Sequence, residues 1–258
     1  GESADFCDHW ILSIREYTDT YGDSRLSAKP VPLPSARERE LPGWIRRRGE
    51  EKLIASTPMG PQIEGPRLAA MIQLAADPTW PMASGAGRVF EAAGALLGVG
   101  EVNRWEVEAA ARLESLASRA RGEIGPWPGF DIEAAEGFPL MPSSKLLVEV
   151  ARRAVGGEAP ASVAAGFHAT FCRLSVDLTE RVSDSARGTV ALGGGCVVNR
   201  ILSKRLAEGL EERGFEVLLP RQVPPGDGGL SYGQAVFAAI AAARGVAPKQ
   251  GAVGTLKR

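Results

Sequence analysis

Long apolar runs are missing from this 258-residue chain, and none reaches the ~20 residues a membrane helix needs. A continuous apolar stretch is also missing from residues 1–21, so that segment does not read as a signal peptide. Cysteine is sparse: Cys7, Cys172 and Cys196 are far apart and form no CxxC pair. That excludes a disulfide framework and zinc-ligand spacing, and suggests a reducing, cytoplasmic setting. Histidine is scarcer still, with His9 and His168 alone. Charge of one sign is lacking too. The formal net charge is −1, so a broad electrostatic grip on nucleic acid is not expected. The five tryptophans are scattered and suggest packing, not a stacking platform. No internal repeat is visible, and Gly1 in place of Met points to a processed or trimmed chain.

What remains is ordinary globular composition, 44% hydrophobic and 24% charged, enough for a sizeable core. Residues 1–65 read as irregular. Ser27 to Pro34 is proline-rich, Glu38 to Lys52 is dense in charge, and one helix is expected near Trp10 to Tyr17. Regular structure is expected over 66–250. The periodicity predicts helices over Arg67–Ala76, Ser84–Leu97, Val102–Arg121, Ser143–Ala154 and Pro160–Ser183, with a long loop from Gly122 to Pro142. Val163, Phe167, Phe171, Leu174 and Leu178 share one stripe of the longest helix. His168 lies on that helix and reads as a packed, hydrogen-bonded histidine. GTVAL (188–192) and FEVLL (215–219) read as buried strands. A helix over Val197–Arg213, closed by Gly214 at C′, joins them. That is a βαβ unit with parallel strands. A last helix spans Leu230–Arg244. The class is α/β.

Gly193-Gly194-Gly195 lies between the first of these strands and its helix. Glycines allow positive φ and close ligand approach, and a helix N-terminus attracts anions, phosphate first. The turn is neither a Walker loop nor a GxGxxG fingerprint, so a Rossmann nucleotide fold is disfavoured, and a ligand-free tight turn is the plain alternative. Asp227, before Gly228 and Gly229, could cap the last helix, bind a metal or position a nucleophile. Cys196 reads as a small buried residue beside the turn.

Together these segments resemble the HypF family of carbamoyltransferases. The resemblance is carried by LGGGCVVNRIL (192–202), GFEVLL (214–219) and QVPPGDGGLSYGQA (222–235). ASGAGRVFEAAGALLG (83–98), WEVEAAARL (105–113) and GFHAT (166–170) carry it also, over roughly residues 66–245. It implies an actin-like ATPase lobe of the Hsp70–sugar-kinase–actin type, with a mixed sheet flanked by helices. It implies carbamoyl transfer from carbamoyl-adenylate to a cysteine thiol of a HypE-like acceptor in nickel–iron hydrogenase maturation. ATP or carbamoyl-adenylate would be bound, with a divalent metal. By motif position, Gly194 and Gly195 match the family's phosphate-facing turn, and Gly193 stands where the family often has serine. Asn199 matches the asparagine in the first turn of the following helix, and Gly228 and Gly229 match the glycines adjoining Asp227; all would belong to the nucleotide site. Arg88 matches the GR of the family's SSxGRLFDA segment. Glu106 would lie near the nucleoside, and Asp227 would bind the metal and serve catalysis. The family's metal histidines from an HHHAH-like cluster have no counterpart. Val107 stands where the family has glycine, Glu108 where it has glutamine, and Glu91 where it has aspartate. Two alternatives follow: a non-catalytic nucleotide- or partner-binding remnant, or a transferase of the tRNA threonylcarbamoyl type.

Overall fold

The computed structural model describes residues 50–62, 85–100, 103–105, 107–135, 138–183 and 188–245. The helices expected near 10–17 and 67–76, the proline-rich 27–34 segment, Cys7, His9 and Glu106 lie outside these residues. Within the segment read as irregular, residues 50–62 hold a short helix, α1 (Glu50–Ala55), and a 3-10 turn, Gly60–Gln62. Leu53 and Met59 pack from there against the core.

The core is helical. Helix α2 (Ala86–Leu96) pairs with α3 (Glu108–Ala117), and α4 (Ser143–Val155) covers α2. The centre is α5 (Pro160–Val182), opened by proline in its first turn and packed on α3, α4 and α6. Its stripe is buried as expected at Val163, Phe167, Phe171 and Leu174. Ala164, His168 and Cys172 are buried as well, so the middle of α5 is enclosed on most sides. Phe90 of α2 meets Phe167 and Phe171 edge-on, with ring centroids 5.0 and 4.9 Å apart. Such edge-to-face pairs add to the ~1.5–3 kcal/mol that burial of each ring contributes.

GFHAT has a structural reason at most of its positions. A Cβ added to Gly166 would lie 2.2 Å from Nε1 of Trp127, so only glycine lets the indole lie on α5. Thr170 donates its hydroxyl to Gly166 O (2.7 Å) and accepts from the Trp127 N–H (2.8 Å). Arg153 lies over the indole, 4.6 Å from the ring centroid.

The segment read as a loop, 122–142, contains a small antiparallel pair, β1 (Glu133–Ala135) with β2 (Phe138–Leu140). Three-residue strands with Pro139 in one of them leave no alternation to read. β3 (Thr189–Ala191) and β4 (Glu216–Leu218) pair in parallel, Val190 opposite Val217, which is the expected βαβ arrangement. Between them runs α6 (Arg200–Glu212). It ends in a Schellman motif: Gly214 has φ 85°, its N–H bonds Glu211 O, and the Phe215 N–H bonds Leu210 O. The described residues hold these two separate two-stranded sheets, where a single mixed sheet was expected. One face of β3–β4 rests on Val176, Leu210 and Phe215, while Leu218 and Leu219 are exposed. The last helix, α7 (Leu230–Ala243), has only Ala241 buried.

Candidate functional site

Strand β3 delivers the chain to the glycine turn. The Leu192 N–H still bonds Leu218 O at 2.9 Å. Gly194 then takes φ 86°, which suits glycine, and Gly195–Val198 forms a 3-10 turn. The expected start of the helix at Val197 is thus corrected to Arg200, because Asn199 caps α6. Its Oδ1 accepts from the Leu202 N–H at 2.9 Å. Its Nδ2 donates to His168 Nε2 at 3.1 Å, and His168 Nδ1 donates to Ala164 O at 2.8 Å. Every polar atom in this relay has a partner when His168 is neutral. Burial holds it so, pushing its pKa down to about 4. His168 is therefore a packed histidine with both nitrogens used, as its place on the helix suggested.

The second glycine loop leans on the first. The Gly194 N–H donates to Pro225 O at 2.7 Å, and a Cβ on Gly226 would sit 3.5 Å from Gly195 Cα. Asp227 opens the 3-10 turn Asp227–Gly229 and its side chain is exposed. It caps neither that turn nor α7, so the capping role is not taken up. A Cβ on Gly229 would strike Pro224 O at 2.4 Å, whereas Gly228 has more room. Gly193 and Gly195 keep amides with no hydrogen-bond partner among the described residues.

A small, open cleft of about 100 Å³ lies beside this turn. Gly87 and Phe90 of α2, Val107 and Ala110 at the head of α3, and Gly195 and Asn199 of the turn form its walls. Three of the segments that carry the family resemblance thus meet at one place. Of the expected site residues, Gly195 and Asn199 line the cleft, and Arg88 adjoins it through Gly87. Gly193, Gly194, Asp227, Gly228 and Gly229 do not line it. Arg88 is held by Glu91 (2.8 Å), which also accepts from Asn103 Nδ2 (2.9 Å). Glu114 fixes the floor by accepting from the Arg200 N–H at 2.7 Å.

One polar cluster escaped the sequence reading. Glu108 is 1% exposed, and its partners Arg104 and Arg112 are exposed. It accepts from the Arg104 N–H at 2.7 Å and pairs with Arg104 at 3.0 Å and Arg112 at 2.6 Å. The Arg104 N–H, then its guanidinium and that of Arg112, hold the carboxyl below its usual range despite desolvation. The i, i+4 spacing of Arg104, Glu108 and Arg112 was the available signal. Burial raises the Cys172 thiol to about 12, while Cys196 is half-buried at the cleft.

Asp227 is the one expected metal ligand in the chain. No group of three or more His, Cys, Asp or Glu side chains that could hold an ion exists among the described residues. The described residues do not by themselves make a complete metal site. Nor is any described helix long and apolar enough to cross a membrane.

A strand, a glycine turn and a capped helix beside an apolar cleft define an α/β lobe. Residues 46–234 match the family model described as "Carbamoyltransferase, Kae1-like domain, second subdomain". The chain belongs to the HypF carbamoyltransferase family. It is 37% identical over 221 residues to the carbamoyltransferase HypF of Rhizobium leguminosarum bv. viciae, covering 82% of this chain and 27% of that protein. It is 38% identical over 175 residues to a carbamoyltransferase HypF homolog of Cupriavidus necator, covering 66% of this chain and 44% of that protein. A crystal structure of full-length HypF in its phosphate- and nucleotide-bound form superposes with TM-score 0.63 at 28% identity, over 79% of this chain and 26% of that one. The chain thus spans about a quarter to under half the length of these relatives.

Proposed function

We propose that this chain is the nucleotide-binding lobe of an actin-like carbamoyltransferase. In this reading it takes carbamoyl-adenylate and serves transfer of the carbamoyl group to a protein cysteine thiol during nickel–iron hydrogenase maturation. The observation that carries the reading is the cleft, where three family segments converge beside amides of a glycine turn. The apolar wall of Phe90, Val107 and Ala110 suits the flat face of a base. The free amide of Gly195, at the cleft, suits a phosphate oxygen. That a relative has been seen with phosphate and nucleotide is consistent with this.

The donor is a mixed anhydride. The acceptor sulfur bonds the carbamoyl carbon, the carbon–oxygen bond to phosphate breaks, and AMP leaves with the electron pair. The thiol proton passes to solvent. The chain's task is to orient the adenylate and stabilise the charge gathering on phosphate. Asp227, exposed at the second loop, would serve that charge stabilisation together with a bound cation if further ligands came from elsewhere.

The test is calorimetric titration of the chain with ATP, AMP and a stable carbamoyl-adenylate analogue. Saturable binding is expected, and Asp227→Ala is expected to abolish carbamoyl transfer without unfolding the protein. Absence of binding to all three would sink the reading. The exposed apolar side chains of α7 favour a second reading, a non-catalytic module that docks a partner. Transfer activity by the chain alone would count against it.

A further inference from the structure

Among the described residues Val107 is the one non-glycine with positive φ (φ 60°, ψ 17°). A β-branched side chain in the left-handed region is a genuine outlier, and such strain persists only where the surroundings over-determine it. Here they do. On one side Glu108 is clamped by the Arg104 N–H and by the Arg104 and Arg112 guanidinium groups. Next to it, the Ala109 N–H donates to Asn103 Oδ1 at 3.0 Å, and the Ala111 N–H to Val107 O at 3.0 Å. Those contacts involve main chain or neighbouring side chains, so they would hold a glycine at 107 equally well. The valine side chain gains little from packing in return, being 49% exposed. What it does touch is the cleft, whose wall it shares with Phe90 and Ala110.

We propose that Val107 is a specificity-determining ligand contact: its isopropyl group, held in the left-handed turn, forms the apolar wall against which the base of a nucleoside lies. The inference rests on the nucleotide reading above. It makes an unusual joint demand. Replacing Val107 by glycine relieves the strain and removes the contact, so the protein should become more stable while binding more weakly.

The experiment is adenosine and AMP titration of the full chain and of Val107→Gly, with thermal melting of both. The variant is expected to lose about tenfold in affinity, ~1.4 kcal/mol, by the same factor for both ligands. It is also expected to melt a few degrees higher. Val107→Ala, still strained but smaller, should fall between in affinity. A glycine variant that binds adenosine as tightly as the parent overturns the inference and leaves the nucleotide reading standing. So does a variant that gains binding, which would make Val107 a block. A glycine variant that melts lower overturns the strain argument on which the inference stands. No saturable binding by either protein up to millimolar ligand overturns the nucleotide reading and this inference with it.

Discussion

His168 and Asn199 show how a side chain's surroundings decide its role. The sequence places both correctly, one on an apolar helix and one at a helix start. Their 3.1 Å hydrogen bond joins residues 31 apart in the chain and is visible only in the fold. Its consequence is a pH dependence of stability. His168 has a folded pKa near 4 against an ordinary value of 6.5, set first by burial. Between those values the unfolded chain takes up a proton that the folded chain refuses. Stability therefore falls as pH drops from 6.5 through 4, by on the order of 3 kcal/mol in all, and this contribution is flat above 6.5. Urea unfolding at pH 7, 6, 5 and 4 should show this loss, and His168→Gln should flatten it. An unchanged slope in the variant would assign the effect elsewhere. Asn199, expected among the nucleotide-site residues, has both ends of its amide engaged in the cap and the histidine. It reaches the cleft as a wall, not as a free donor.

Helix α5 is the element on which the rest is assembled. Its length, proline start and apolar stripe were legible because a 3.6-residue period survives over many turns. The Trp127 contact was not legible, because it joins a loop to the helix across 43 residues through one backbone bond to Thr170. Gly166→Ala should cost at least 2 kcal/mol, since the new methyl group would have to displace the indole ring. Chemical denaturation with tryptophan fluorescence would measure it. A shift below ~0.5 kcal/mol would mean that Trp127 moves aside freely. The β1–β2 pair shows the opposite limit. Each strand has three residues, too few for a period of two to stand out.

For the molecule as a whole, burial is unevenly distributed. The α2–α5 core is closed, while β3–β4 has exposed Leu218 and Leu219 and α7 exposes Leu230, Tyr232 and Ile240. Parallel strands are normally covered on both faces, and contiguous exposed apolar surface drives association. The isolated chain is therefore expected to self-associate at micromolar concentration. Leu230→Lys with Ile240→Lys should reduce its light-scattering mass without lowering its melting temperature. A monomeric parent chain would contradict this. The sequence by itself determined the α/β class, the βαβ unit, the glycine turn and the family resemblance, because each is written in local periodicity or in a contiguous string. Tertiary structure alone decided that the α2, α3 and glycine-turn segments close around one cleft, that Asn199 answers to His168, and that Val107 carries backbone strain. The first two are relations between segments tens of residues apart, fixed by how α5 and α6 pack, while the third is a backbone angle held by neighbours between Asn103 and Arg112; no periodicity or motif encodes any of them.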